Sequence, residues 1–334
     1  MQCRLRLRLG CASANVFSLA MPVAAAHAEC RTRSIRSALP VHPARTPLAI
    51  NPKAQATHTI MANTLEGSGR IALITGASSG IGEALAHRFA RAGYGLVLVA
   101  RSADKLKALA RELSAAHGVK AWVAVADLSL PAAADKLAAA MKRARRPIDV
   151  LVNNAGVLEH GPFVDMPAAR HQQLIALNVA GLTAMLAAFV PGMVARGQGR
   201  VLNVGSIAAF QPVPQLATYA ATKAFVLSLT ESLSEELHGT GVTVTALCPG
   251  ITATAMVAKA KAGSQELNKL PGFLVGRAED VADDAFVALH RGGVICVPGA
   301  INLATTLAAR ATPKWLLRRV SGAMTRRLKP RSSP

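Results

Sequence analysis

A phenol and an ammonium group stand four residues apart at Tyr219 and Lys223. In a helix this spacing places both side chains on one face. Tyrosine titrates near ~10, too high for efficient acid–base work at neutral pH, and a neighbouring lysine cation favours the tyrosinate. The pair therefore predicts a general acid and base that moves a proton to or from a substrate oxygen, as carbonyl reduction and alcohol oxidation require. On an exposed helix face the same pair would be inert.

Two further polar residues are candidates for the same site. Ser206 ends an apolar run thirteen residues before Tyr219, where its hydroxyl can polarise a substrate oxygen. A serine at a strand end is more often a cap, which is the alternative. Asn178 lies inside a long helical pattern. Asparagine is a poor residue for a helix interior, which favours a role beyond local structure without requiring one.

A turn rich in glycine and serine follows an apolar run in the segment TGASSGIG, residues 75–82. Glycine lets the backbone approach a pyrophosphate closely, and a helix N-terminus supplies N–H groups and positive dipole potential. The alternative is a tight turn that needs glycine whatever it binds. We predict a dinucleotide site formed by Gly76, Ser78, Ser79, Gly80, Ile81 and Gly82.

The end of the second predicted strand distinguishes the two nicotinamide dinucleotides. An acid there would bond the ribose 2′-hydroxyl of NAD(H). This sequence instead has Arg101, which can pair with the 2′-phosphate of NADP(H). We therefore expect NADP(H) as the cofactor and NAD(H) as the less favoured one. The alternative for Arg101 is a solvated side chain at a strand end.

Short apolar runs alternate with helical periodicity from residue 70 onward, which is typical of βαβ units around a parallel sheet. The runs are continuous rather than alternating, as expected of strands with helices on both faces. The pattern predicts a single α/β domain of Rossmann type with a doubly wound, mostly parallel, seven-stranded sheet. The predicted strands are Ile71–Thr75, Leu96–Ala100, Ala121–Ala126, Val150–Val152, Val201–Val204, Val242–Leu247 and Val294–Val297, and the predicted helices are 81–92, 103–117, 131–145, 167–195, 215–238 and 279–290.

Residues 70–255 resemble the classical short-chain dehydrogenases/reductases, the SDR family. The resemblance rests on TGASSGIG at 75–82, NNAG at 153–156, the Tyr219–Lys223 pair and the PG turn at 249–250, which follow in the expected order. It implies an oxidoreductase with a Rossmann fold, a nicotinamide cofactor and Tyr219 as general acid and base.

The resemblance also implies roles for single residues. Asn178 completes a catalytic set with Ser206, Tyr219 and Lys223 by holding a water that links Lys223 to solvent, and Lys223 holds the nicotinamide ribose. Asp127 contacts the adenine, although capping a turn would explain that aspartate nearly as well. A turn of Asn and Gly would likewise explain NNAG. The implied cofactor contacts are Asp127, Leu128, Asn154, Ala155, Gly156, Tyr219, Lys223, Pro249, Gly250, Thr252 and Thr254. Which threonine bonds the carboxamide stays open.

The formal charge of +20 invites a nucleic-acid interpretation, and its distribution argues against one. Residues 1–60 carry eight Lys/Arg and one acid, and 310–331 carry eight and none. Residues 61–309 carry 22 basic and 17 acidic side chains, a net of +5. The five cysteines show no CxxC or metal-ligand spacing. We therefore expect no nucleic-acid partner, no metal, and a reduced, cytoplasmic compartment.

Two tails flank the predicted catalytic domain, 61–300. Residues 1–60 outline a signal peptide, with early arginines and the small residues Ala26 and Ala28 around His27. The interpretation that we favour is a disordered or over-extended start, with Met61 as the first working residue. The sequence has no uninterrupted apolar run of ~18 residues, so it does not predict a membrane-spanning helix. Residues 301–334 form a basic tail in which Pro313 begins a predicted amphipathic helix, with a stripe of apolar residues at every fourth position: Leu316, Val320, Met324 and Leu328. This helix packs on protein or, alternatively, lies peripherally on an anionic membrane.

Together these features predict an enzyme, an NADP(H)-dependent oxidoreductase that transfers hydride between the nicotinamide and a carbonyl or secondary alcohol. We expect a small-molecule substrate, and the lack of a charged cluster in 256–273 favours an apolar one. The alternative is a catalytically silent NADP(H)-binding protein that acts through protein or membrane contacts. The resemblance implies a homo-oligomer, since family members often form dimers or tetramers.

Overall fold

A parallel sheet forms the centre of the structure, a computed structural model that describes residues 66–254, 257–258 and 275–328, with the side chains of 324–328 left out. The strands are β1 (Ile71–Thr75), β2 (Gly95–Ala100), β3 (Ala121–Val125), β4 (Val150–Asn153), β5 (Gly199–Val204), β6 (Val242–Leu247) and β7 (Ile295–Cys296). Their order is β3-β2-β1-β4-β5-β6-β7, and every neighbouring pair is parallel. The predicted seven-stranded Rossmann-type sheet is confirmed. The predicted tail 1–60 lies outside the described residues.

Helices connect the strands and cover both faces of the sheet. They are α1 (Gly80–Arg91), α2 (Ala103–His117), α3 (Ala133–Arg143), α4 (Ala168–Ile175), α5 (Leu182–Ala195), α6 (Ala217–Glu236), α7 (Ala278–Arg291), α8 (Ala300–Ala311) and α9 (Lys314–Leu328). A π-helical turn, Ala176–Gly181, joins α4 to α5, and a short 3₁₀ helix, Ile207–Phe210, follows β5.

The core consists of two apolar layers, one on each face of the sheet. Successive strand residues point to opposite faces, so Ile74 of β1 packs with α1, α2 and α7, whereas Leu73 packs with α3, α5 and α6. Burying one such side chain stabilises the fold by about 1.5–3 kcal/mol. Burial on both faces explains why the strand sequences are continuously apolar.

One helix among the described residues, Ala168–Ala195, is long and apolar enough to cross a membrane by length and composition alone. Within it, Met185 and Met193 are fully buried and belong to the core layer that includes Leu73 and Val97 of the sheet. Its apolar composition is therefore explained by packing in the domain core.

The structure differs from the predicted elements near Ala132, in the predicted helix 167–195, which the π-helical turn divides, and at the end of the chain. α3 begins at Ala133 rather than at residue 131, because Ala132 adopts a left-handed backbone with φ of 59°. β7 has only two residues, and two helices follow it where the sequence indicated one.

The strand order determines where the ligand-binding crevice of the fold lies. The chain leaves β1 toward one edge of the sheet and returns through β4 on its other side. Ligands of open α/β sheets bind outside the carboxyl ends of the strands at such a reversal. The loops that follow β1 to β6 meet there.

Candidate active site

A cavity of about 530 Å³ lies at the carboxyl ends of the strands. Its lining follows the strand order: Asp127 after β3, Arg101 after β2, Gly76 after β1, Asn154 after β4 and Ser206 after β5. Four strand spacings span about 19 Å, so the crevice is suited to an extended ligand.

The structure brings almost all of the predicted site residues to this cavity. Every predicted cofactor contact except Gly82 lines it, as do Ser206, Tyr219 and Lys223. Asn178 is buried behind the wall, 1% exposed. Gly82 lies beneath the turn, where an added Cβ would overlap the Gly76 carbonyl and the Asn154 amide.

The glycine turn is locked against the NNAG segment by hydrogen bonds. The Thr75 hydroxyl accepts the N–H groups of Asn154 and Ala155, each at 2.9 Å, and donates to the Val152 carbonyl at 3.1 Å. The Asn154 amide donates to the carbonyls of Thr75 and Gly76, at 2.9 and 3.2 Å. NNAG is thus more than a turn, because it holds the glycine segment in place.

The backbone of this turn fits a dinucleotide pyrophosphate. Gly76 has φ of 66°, and an added Cβ would stand 2.7 Å from the Asn154 amide nitrogen. Ser79 precedes α1 but makes no side-chain hydrogen bond to it. The first N–H groups of α1 therefore lack that cap, and unpaired N–H groups at a helix N-terminus favour an anion.

Arg101 and Asp127 face one another across the part of the cavity next to β2 and β3. The Arg101 guanidinium lies 3.8 Å from Asp127 Oδ2. Asp127 Oδ1 accepts the hydroxyl and the N–H of Ser129, at 2.6 and 3.0 Å. These hydrogen bonds, and then Arg101, lower the pKa of Asp127. Oδ1 of Asp127 therefore caps the turn, as the alternative interpretation expected, whereas Oδ2 faces Arg101.

Lys223 is buried on α6, one turn after Tyr219. Its ammonium donates to the Val204 carbonyl at 2.8 Å and lies 5.8 Å from the centre of the Tyr219 ring. Burial lowers the pKa of Lys223 to about 8. The two side chains share one wall of the cavity, as their spacing predicts.

The pKa of Tyr219 is raised rather than lowered. Burial is the largest cause, and the hydrogen bond with Ser206 opposes it. The sequence-based expectation of a lowered pKa was therefore wrong for the structure as described, because desolvation disfavours the tyrosinate more than its neighbours favour it. The phenol holds its proton at neutral pH, as a proton donor must.

Ser206 has a structural role besides its contact with Tyr219. It is the N-cap of the 3₁₀ helix Ile207–Phe210, and its hydroxyl accepts the Ala208 N–H at 3.1 Å. Behind it lies the fully buried thiol of Cys248, whose pKa burial raises to about 12. This thiol stays protonated beside the Lys223 ammonium.

Asn178 occupies the π-helical turn and joins three parts of the site. Its amide donates to the Val157 carbonyl at 2.9 Å, and its oxygen accepts the Val157 N–H at 2.9 Å. The amide also donates to Thr222 Oγ1 at 3.2 Å, and that hydroxyl donates to the Tyr219 carbonyl at 2.7 Å. The position of Asn178 within a helix is explained by these bonds. The water implied by the resemblance stays a prediction.

The two candidate threonines differ in their surroundings. Thr252 is buried, and its hydroxyl donates to the Gly250 carbonyl at 3.2 Å. The Thr254 side chain contacts the position that a Cβ on Gly80 would occupy, at 2.9 Å, and its oxygen accepts the Val257 N–H at 3.3 Å. Both line the cavity.

Sequence reasoning missed the apolar wall next to Tyr219. This wall is formed by residues from the loop after β4 and from the chain between β5 and α6: Leu158, Ile207, Val213 and Leu216, with Gln211 beside them. No periodic pattern marks these positions, because they lie in irregular or 3₁₀ segments. The two prolines of the segment 211–216 indicated a loop and nothing more.

Known proteins are similar to this chain in sequence and in fold. The sequence matches the short chain dehydrogenase family over residues 70–265. It is 40% identical to oxidoreductase UcpA of Escherichia coli over 193 residues, which are 57% of this chain and 72% of UcpA. It is 39% identical to sulfoacetaldehyde reductase 2 of Chromohalobacter salexigens over 197 residues, 58% of this chain and 77% of that reductase.

A solved structure extends the likeness. A short-chain dehydrogenase from Sphingobium yanoikuyae in complex with NADPH is 35% identical and has a TM-score of 0.66, with 79% of this chain and 98% of that chain covered. The fold and the site define a dinucleotide-binding α/β oxidoreductase. The chain belongs to the short-chain dehydrogenase family.

Proposed function

We propose that the protein is an NADP(H)-dependent enzyme that interconverts a carbonyl compound and the corresponding secondary alcohol. One observation carries the proposal: Ser206, Tyr219 and Lys223 line the same cavity as the glycine turn. A group that donates a proton and a turn that suits a dinucleotide are thus side by side. The nicotinamide cofactor, when bound, supplies or accepts the hydride.

The chain's own residues would bind and protonate the substrate oxygen. The hydroxyls of Ser206 and Tyr219 are placed to hydrogen-bond a carbonyl oxygen in the cavity. Because burial raises its pKa, Tyr219 carries the proton that the developing alkoxide needs. Lys223, with a pKa of about 8, is cationic at neutral pH and would hold the ribose hydroxyls of the nicotinamide and stabilise the tyrosinate left after the transfer.

The preference for NADP(H) is supported by the loop after β2. The residue directly after β2 is Arg101 rather than an acid, and its side chain is 61% exposed while lining the cavity. Its ion pair with Asp127 is long, at 3.8 Å, so it can turn to a 2′-phosphate without breaking a short bond. The Sphingobium relative was solved with NADPH, which is in keeping with this choice.

The substrate that suits the cavity is small and apolar next to the reacting carbonyl. Leu158, Ile207, Val213 and Leu216 would surround it, and they would also exclude water from the hydride and proton transfers. We keep two further proposals, a homo-oligomer and a cytoplasmic location, which rest on the family and on the cysteine pattern respectively.

A substrate panel tests the proposal. NADPH and NADH oxidation would be followed against aldehydes, ketones, quinones and 3-oxoacyl thioesters with the full chain. We expect turnover of at least one class, with NADPH giving the higher kcat/KM. Binding of NADPH without turnover across the panel would contradict the proposed activity and support a catalytically silent NADP(H)-binding protein.

A further inference from the structure

Helix α8 exposes its large apolar side chains, and its two buried residues are small or polar. Thr306 and Ala309 are buried in the domain, and the Thr306 hydroxyl has no hydrogen-bond partner among the described residues. Ile301 and Leu307 are more than half exposed. A helix on a soluble protein normally turns its large apolar residues toward the core.

Helix α9 also exposes large apolar side chains. Trp315 and Val320 are more than half exposed, and Leu316 is also exposed, so the domain does not cover the part of the apolar stripe whose side chains are described. We call the exposed apolar residues of both helices the apolar face: Ile301, Leu303, Leu307, Trp315, Leu316 and Val320. Apolar patches of this kind mark contacts with other molecules.

Two contacts of Arg310 hold α8 on the domain with this face outward. Its guanidinium lies 3.8 Å from the Glu231 carboxylate of α6 and 5.8 Å from the centre of the Phe210 ring. The apolar face is thus attached to a folded body rather than to a separate segment.

The C-terminal segment that carries the apolar face is basic in sequence. Residues 300–334 contain no Asp or Glu and eight basic residues: Arg310, Lys314, Arg318, Arg319, Arg326, Arg327, Lys329 and Arg331. A symmetric contact with a second copy would bring two such surfaces together, and like charges repel. The chain's own residues 1–60 carry eight basic residues and one acid, so they are no better matched. An anionic partner suits the charge.

We propose that the apolar face of α8 and α9 docks on an anionic phospholipid bilayer. Helices that lie in a bilayer interface combine a basic polar side with large apolar residues on the other. Trp315 suits the interface, where an indole finds both apolar and polar surroundings. The exposed Lys314, Arg318 and Arg319 would meet the lipid phosphates and carboxylates. This proposal does not depend on the proposed enzymatic activity.

Vesicle flotation of the full chain tests the docking. The vesicles would contain phosphatidylcholine alone, or phosphatidylcholine with phosphatidylserine. We expect binding to the phosphatidylserine vesicles that weakens as salt rises. Arg318→Glu with Arg319→Glu should lower the partition coefficient at least about a hundredfold, and Leu307→Ser with Trp315→Ser at least about tenfold.

A matched control reverses two exposed cations elsewhere. Lys142→Glu with Arg143→Glu, at the end of α3, should bind within about threefold of wild type, because charges far from the bilayer are screened. Circular dichroism checks that each variant is folded. Three results would overturn the proposal: equal partitioning to both vesicle types, an equal loss in the control, or a dimer of the wild type that Leu307→Ser with Trp315→Ser dissociates in light scattering.

Discussion

Replacing Lys223 by methionine is expected to stabilise the cofactor-free protein at neutral pH while removing its activity. Lys223 is 6% exposed, and its burial lowers its pKa from 10.5 to about 8. A group whose folded pKa lies below its unfolded pKa destabilises the fold while both states are protonated. This shift corresponds to about 3 kcal/mol at pH 7.

The net gain is smaller than this figure. Methionine fills the volume of the lysine stem but cannot donate to the Val204 carbonyl, which Lys223 contacts at 2.8 Å. Losing that hydrogen bond costs about 1 kcal/mol. We therefore expect Lys223→Met to raise the free energy of unfolding by about 2 kcal/mol at pH 7.

The pH dependence distinguishes this cause from better packing. As the pH rises above 8, the folded wild type loses the buried proton, whereas the unfolded chain keeps it up to its own pKa of 10.5. The wild type therefore gains stability with rising pH, and its difference from Lys223→Met should shrink by about 1.4 kcal/mol by pH 9.

Urea unfolding followed by far-ultraviolet circular dichroism measures the effect between pH 7 and pH 9. Lys107→Met, at an exposed position of α2, is the control and should change the stability by less than about 0.5 kcal/mol. A Lys223→Met protein that is no more stable than wild type, with a difference that does not vary with pH, would refute the electrostatic reasoning.

The remaining predictions concern the cofactor, the glycine turn and the half-buried His290. Arg101→Glu should lower kcat/KM for NADPH by about a hundredfold and leave kcat/KM for NADH unchanged, because it replaces a charge-assisted bond to the 2′-phosphate by repulsion. Steady-state kinetics with both cofactors measure this, and an unchanged ratio of the two kcat/KM values would contradict the role of Arg101. Gly82→Ala should lower the free energy of unfolding by about 1–3 kcal/mol, because the added Cβ would overlap the Asn154 amide. Gly192→Ala, at an exposed position of α5, should raise the free energy of unfolding by up to about 1 kcal/mol. Changes of the same sign in both variants, measured by urea unfolding, would contradict the packing described for Gly82. Burial lowers the pKa of His290 below 6.5, so stability should fall as the pH drops through ~6.5 toward the folded pKa, and His290→Gln should flatten that part of the urea-unfolding profile; an unchanged profile would contradict this assignment.

The sheet could be predicted because burial on both faces gives its strands continuous apolar sequences. β1 and β6 begin and end where their runs do. The π-helical turn, Ala176–Gly181, could not be predicted, because the bonds of Asn178 with Val157 join segments 21 residues apart. α8 was missed for a different reason: its apolar residues face outward, so its pattern does not indicate a core-facing helix.

The polar half of the candidate site was more predictable than its apolar half. Gly76, Arg101 and Ser206 follow strand ends, and parallel strands bring their carboxyl ends to one edge. Position along the chain therefore implied position in space. The apolar wall, with Val213 and Leu216, comes from a loop whose path depends on tertiary packing, so its residues carried no signal. The direction of the Tyr219 pKa also needed the structure, because it depends on burial.

The proposed chemistry depends on the phenolic proton of Tyr219, and Tyr219→Phe tests it most directly. This change removes the hydroxyl and keeps the ring. NADPH binding, followed by its fluorescence, and turnover of the best substrate of the panel would be measured on the same preparation. We predict an NADPH Kd within about threefold of wild type and a kcat lower by at least about a thousandfold. Turnover within about tenfold of wild type, with normal NADPH binding, would contradict the assignment of Tyr219 as the proton donor.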